Sequence, residues 1–144
     1  MSNYEEREEI ERSIQYYDRR INALQNKINQ LKKNLEMVYA FKQKYERSCN
    51  EYLINLDSRR KKLDGINQFA DRMKSARTYH DHASELLSGS SFSHSVDQTD
   101  ETKRTIRKKA DYLEQEIEGK KAEIRSCSAE ISSLYSRLSS LDDD

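Results

Sequence analysis

The sequence has no proline, no tryptophan, only three glycines and only two cysteines in 144 residues. Nothing in it alternates like a strand, and no Asn-Gly or Gly-Gly pair offers a hairpin turn, which excludes a sheet-built fold. Apolar residues make up 34%, below the roughly 45–50% of ordinary globular domains. The core is therefore too thin for several stacked layers. The 26 basic and 26 acidic residues cancel, so bulk charge gives no drive toward nucleic acid or an anionic membrane. No apolar run approaches the roughly 20 residues that span a bilayer, so no stable membrane insertion is expected. The chain begins Met-Ser-Asn-Tyr-Glu-Glu, without a basic and then apolar leader. A cytoplasmic start is expected, with any export following a route that needs no cleaved signal peptide.

Catalytic signatures are missing as well. There is no Gly-rich phosphate loop, no nucleophile elbow and no Cys-x-x-Cys. Tyr79-His80-Asp81-His82 invites a metal reading. Two histidines at i and i+2, however, leave a helix on different sides, whereas helical metal pairs use i and i+3 or i+4. No enzyme activity, cofactor or metal is expected. Arg107, Lys108 and Lys109 are offset by Asp111 and Glu114, so no nucleic-acid partner is expected.

What is present is a regular apolar stripe. Ile10, Ile14, Tyr17, Ile21, Leu24, Ile28, Leu31, Leu35 and Val38 recur at alternating gaps of four and three. Such a run predicts a helix burying a narrow seam against another helix. A second stripe lies near the other end: Ile106, Ala110, Leu113, Ile117, Ile124, Cys127, Ile131, Leu134, Leu138 and Leu141, broken only at Lys120. The two predict a long antiparallel, coiled-coil-like hairpin in one domain over residues 1–144. Pairing Ile10 with Leu141 sets Cys127 level with Leu24 and Cys49 level with Thr102, too far apart for an intrachain disulfide. Both cysteines read as small buried hydrophobes.

Ser2 followed by Glu5 is a capping-box signature, and the acids after it suit a helix start near Asn3. The first helix is expected over about 4–64. Asp64-Gly65, preceded by four cations at 59–62, reads as its end. A continuous helix tolerating Gly65 at about 1 kcal/mol is the alternative. Arm length favours the turn: pieces at about 66–87 and 99–141 together match the outgoing helix. The Ser-rich segment 88–98 is expected as a loop. Met37, Tyr39, Phe41, Leu53 and Ile54 lie off the stripe, and such residues on a long hairpin mark a partner surface.

A hairpin of this size resembles the small WXG-type proteins of type VII secretion, and more closely the accessory proteins that accompany LXG-domain toxins. The likeness is carried by the stretch from Ile14 to Gln25 and that from Lys120 to Ile131, and it spans most of the chain. Leu63-Asp64-Gly65 stands at the apex, with Leu63 where that family has Trp. Tyr4 to Glu8 and Tyr112 to Glu116 fit the letters of the family's export signal, but neither follows the last helix. The resemblance implies a chaperone or targeting subunit. Its partner would be the helical domain of a secreted toxin or a second small helical protein, including another copy of itself. A homodimeric coiled-coil scaffold is the other class that the heptads alone allow.

Overall fold

The computed structural model describes residues 2–70 and 72–143, with the backbone alone at residue 70. Three helices account for nearly all of it: α1 (Asn3–Ala70), α2 (Lys74–Ser88) and α3 (Ser90–Asp143). The helices run antiparallel, giving an all-α helical hairpin. The chain divides into two compact units, Met1–Met37 with Ala110–Asp144, and Val38–Lys109.

In the first unit α1 opens as its sequence dictates. The Ser2 hydroxyl accepts from the Glu5 amide at 3.3 Å and the Ser2 carbonyl from Glu6 at 3.0 Å, which satisfies two of the orphan donors of a helix start. The seam then closes. Ile10, Ile14 and Leu134 form a buried cluster on which Tyr17, Ile131, Leu138 and Leu141 pack. Leu24, Ile28, Ala110, Leu113, Ile117 and Cys127 are buried too. Ile21, Leu31, Leu35 and Ile124 are half-buried. Each fully buried Ile or Leu contributes about 1.5–3 kcal/mol.

The end of α3 meets the start of α1 as the pairing of Ile10 with Leu141 requires, with Leu134, Leu138 and Leu141 gathered on Ile10 and Ile14. Glu6 faces Arg137 at 3.5 Å, Arg20 faces Glu123 at 3.1 Å, and Arg7 pairs with Asp142. These pairs flank the seam and hold α3 alongside α1. A seven-residue slip leaves every stripe position matched, so the apolar pattern alone cannot set the register. Charges flanking the seam can. Lys120, the break in the stripe, comes beside Leu31, where the pairing of Ile10 with Leu141 sets it. A gap of about 340 Å³ lies there, lined by Lys27, Gln30, Leu31, Asn34, Glu116 and Lys120.

In the second unit the expected apex at Leu63, Asp64 and Gly65 is corrected. Helix α1 passes through it and ends at Ala70 rather than 64. Leu63 is buried and Ile66 half-buried, so the packing stripe continues. That burial outweighs the roughly 1 kcal/mol a helical glycine costs. Among the described residues none has positive φ. The turn follows the end of α1 at Ala70. The Phe69 carbonyl accepts from Arg72 and Met73 at 3.1 and 3.0 Å, and Met73, in an extended conformation, precedes α2. The second helix thus covers Lys74–Ser88, not 66–87.

The expected loop at 88–98 is also corrected, since α3 starts at Ser90 rather than 99. Helical hydrogen bonds bracket the junction: Gly89 donates to the Glu85 carbonyl at 2.7 Å, and Ser93 donates to the Gly89 carbonyl at 3.0 Å. The hydroxyls that suggested a loop bond back inside the helix, Ser95 to the Ser91 carbonyl at 3.1 Å and Thr99 to that of Ser95 at 2.9 Å. Serine costs a helix only tenths of a kcal/mol when its hydroxyl is so placed. Gly89 itself breaks the run, with φ −83° and ψ −164°.

Candidate interaction surface

The second unit inherits the weaker part of the α1 stripe. Lys42, Tyr45, Cys49, Tyr52 and Arg59 occupy stripe positions there. Among the described residues of this unit only Leu56, Leu63 and Ile106 are buried, and Val38, Lys42, Tyr45 and Cys49 are half-buried. Helix α2 buries none of its residues. It lies against α1 without closing on it, and a groove of about 750 Å³ remains. Tyr52, Leu56, Arg59, Lys62, Leu63 and Ile66 of α1 line it with Tyr79, Ala83, Leu86 and Leu87 of α2. A smaller cleft of about 270 Å³ separates Cys49, Tyr52 and Leu53 from Val96 and Thr99 of α3.

One side chain ties the unit together. Arg60 donates through Nη2 to the Leu87 carbonyl at 2.6 Å, and its guanidinium lies 4.7 Å from the centre of the Phe92 ring. The Leu87 carbonyl belongs to the last turn of α2, where carbonyls find no donor within the helix. The arginine therefore caps α2 and holds the first turn of α3. Its Nε is buried with no hydrogen-bond partner, which offsets part of what the two contacts contribute. Spacing gave no hint of this role, because Arg60 is one of four consecutive cations.

The residues expected at a partner surface are all exposed: Met37 and Ile54 at 69%, Phe41 at 55%, Leu53 at 50% and Tyr39 at 39%. They do not form one face. Met37 belongs to the first unit. Phe41 precedes the stripe position Lys42, and Leu53 follows Tyr52, so helical geometry sets them on opposite flanks. Ile54 is a further step round, away from the stripe, and Tyr39 shares the flank of Leu53. Phe41 stacks on Tyr45 with ring centres 6.1 Å apart. The exposed apolar residues that border the groove, Tyr52, Tyr79 and Leu86, were not among those expected. The spacing of Tyr79, Ala83 and Leu86 at i, i+4 and i+7 is the signal that could have found two of them.

The histidines do not converge. His80 stands 3.6 Å from the Asp81 carboxylate, and His94 contacts Gln98 at 3.1 Å. Among the described residues no three His, Cys, Asp or Glu side chains gather as a metal site would need, and both cysteines are free. No helix among the described residues is long and apolar enough to cross a membrane. No known family model, curated protein or solved structure matches the chain.

Proposed function

We propose that this protein is a non-enzymatic interaction module whose second unit contributes helices to a helical partner. One observation carries the reading: the second unit leaves large apolar side chains exposed around an open groove, with Leu86 at 74%. Contiguous exposed apolar surface on a helical pair is the usual mark of a partner site. The sequence resemblance to accessory proteins of type VII secretion names the kind of partner: the helical domain of a secreted LXG-type toxin, which this chain would hold or target for export. The chain would act before export, in the cytoplasm.

The test is co-purification with the helical domain of a toxin encoded beside this chain, followed by size and mass measurement. A stable one-to-one complex supports the reading; its weakening by Leu86→Ser, in a variant that keeps its helical circular dichroism, places the contact at the groove, and weakening by Phe41→Asp or Ile54→Asp places it on another face of α1. A homodimer indifferent to that domain overturns it in favour of a scaffold.

A further inference from the structure

We propose that the groove between α1 and α2 receives an acidic amphipathic helix of the partner; the proposal rests on the interaction-module reading and names the chemistry of its contact. The groove has an apolar floor, with Leu56 and Leu63 buried and Ile66 half-buried. Its rim is apolar and exposed at Tyr79 and Leu86. A helix laid along it would insert side chains spaced at i, i+3 or i+4, and i+7.

Charge decides which helix. Arg59 and Lys62 line the groove, and among the described residues no carboxylate does. That is a local excess in a chain whose acids and bases balance. The two cations between them are occupied: Lys61 pairs with Asp57 at 3.1 Å, and Arg60 serves the Leu87 carbonyl. Among the described residues Arg59 and Lys62 have no ion-pair partner. Carboxylates flanking the incoming apolar stripe would find both cations beside an apolar surface, where such complementarity favours the correct partner and disfavours a basic one. Because α2 is held mainly through Arg60 and half-buried contacts, the groove needs no unfolding to accept a third helix.

The experiment uses the intact protein and two synthetic 18-residue helical peptides. Both carry the same leucine stripe, flanked by glutamates in one and by lysines in the other, and binding is read by fluorescence anisotropy. The glutamate peptide should bind at least tenfold tighter, and 0.5 M salt should narrow the gap. Arg59→Glu with Lys62→Glu should invert the preference. Leu86→Ser, at an exposed position, should weaken both peptides without changing the helical spectrum. Equal binding of the two peptides, or an unchanged order in the double variant, overturns the proposal. So does capture of the protein on phosphatidylglycerol vesicles through these same residues, or a homodimer that Leu86→Ser dissolves. If the peptides fail while a toxin-domain complex persists and depends on Phe41 and Ile54, the groove assignment falls and the module reading stands. Loss of both removes the module reading as well.

Discussion

In the first unit α1 presents Ile10, Ile14, Tyr17, Ile21, Leu24 and Ile28 to α3, and the seam closes over them with ion pairs along its flanks. In the second unit the same four-three spacing carries Lys42, Tyr45, Cys49, Tyr52 and Arg59. There the helices stand apart around an open groove. Periodicity is equal in the two; chemistry at the stripe positions is not. A heptad rhythm is enough to keep a helix amphipathic, but only branched aliphatic side chains fill the seam and exclude water. The poorly filled half is therefore the half with surface left for a partner.

The contrast is broken most directly from the core. Ile28 is 1% exposed, so Ile28→Ala should cost about 2–5 kcal/mol. Cys49→Ala, at a half-buried stripe position beside a cleft, should cost less than about 1 kcal/mol, as changes outside a packed core do. Urea unfolding followed by circular dichroism measures both. Equal losses would mean that the second unit is packed as firmly as the first.

Next in size is the Arg60 tie. Arg60→Met keeps the stem but removes the donor to the Leu87 carbonyl and the cation over Phe92. The expected loss is about 1.5–3 kcal/mol, the range for a hydrogen bond involving a charged group. It should appear as faster hydrogen exchange in α2 and the first turns of α3. Unchanged protection there would show that α2 is held by its apolar contacts alone.

The glycines sharpen the comparison from the backbone. A Cβ at Gly89 would lie 2.3 Å from the Glu85 carbonyl oxygen, a backbone atom that cannot step aside alone. Gly89→Ala should destabilise by about 1–3 kcal/mol, as overpacking does. A Cβ at Gly65 meets nothing within 4 Å. Gly65→Ala should therefore stabilise by up to about 1 kcal/mol, the propensity difference in a helix interior. Thermal unfolding of the pair reads both signs. A destabilised Gly65→Ala would restore the turn that the helix here runs through.

Those two glycines also show what could be read from residues alone and what could not. The seam of the first unit was legible because eight apolar positions from Ile10 to Leu35 repeat without a slip and few other arrangements bury them. The helix start was legible because Ser2 and Glu5 act locally. The apex was misplaced because Asp64-Gly65 is a local stop signal, and the burial of Leu63 and Ile66 against α2 overrides it. The segment 88–98 was misplaced for the opposite reason: its serines look like solvated loop, yet α3 runs through them from Ser90 and the Ser95 hydroxyl bonds back to the Ser91 carbonyl. The site was only partly legible. Exposure of Phe41 and Ile54 followed from their place off the stripe, but the groove exists only because α2 stops short of closing on α1, which no spacing encodes.

The smallest expected effect concerns register. Because a one-heptad slip preserves every stripe match, the choice must come from side chains beside the seam, and Arg20 with Glu123 is the clearest pair. Both are about half exposed, so the pair should contribute only about 0.2–1 kcal/mol. Arg20→Glu should lower stability by about that much, and Arg20→Glu with Glu123→Arg should recover it. The difference should shrink in 0.5 M salt, where exposed charges are screened. A double-mutant cycle measures the coupling directly. A coupling of zero would shift responsibility for the register to packing around the gap at Leu31 and Lys120, where an apolar residue at 120 should then tighten the seam and raise stability on its own.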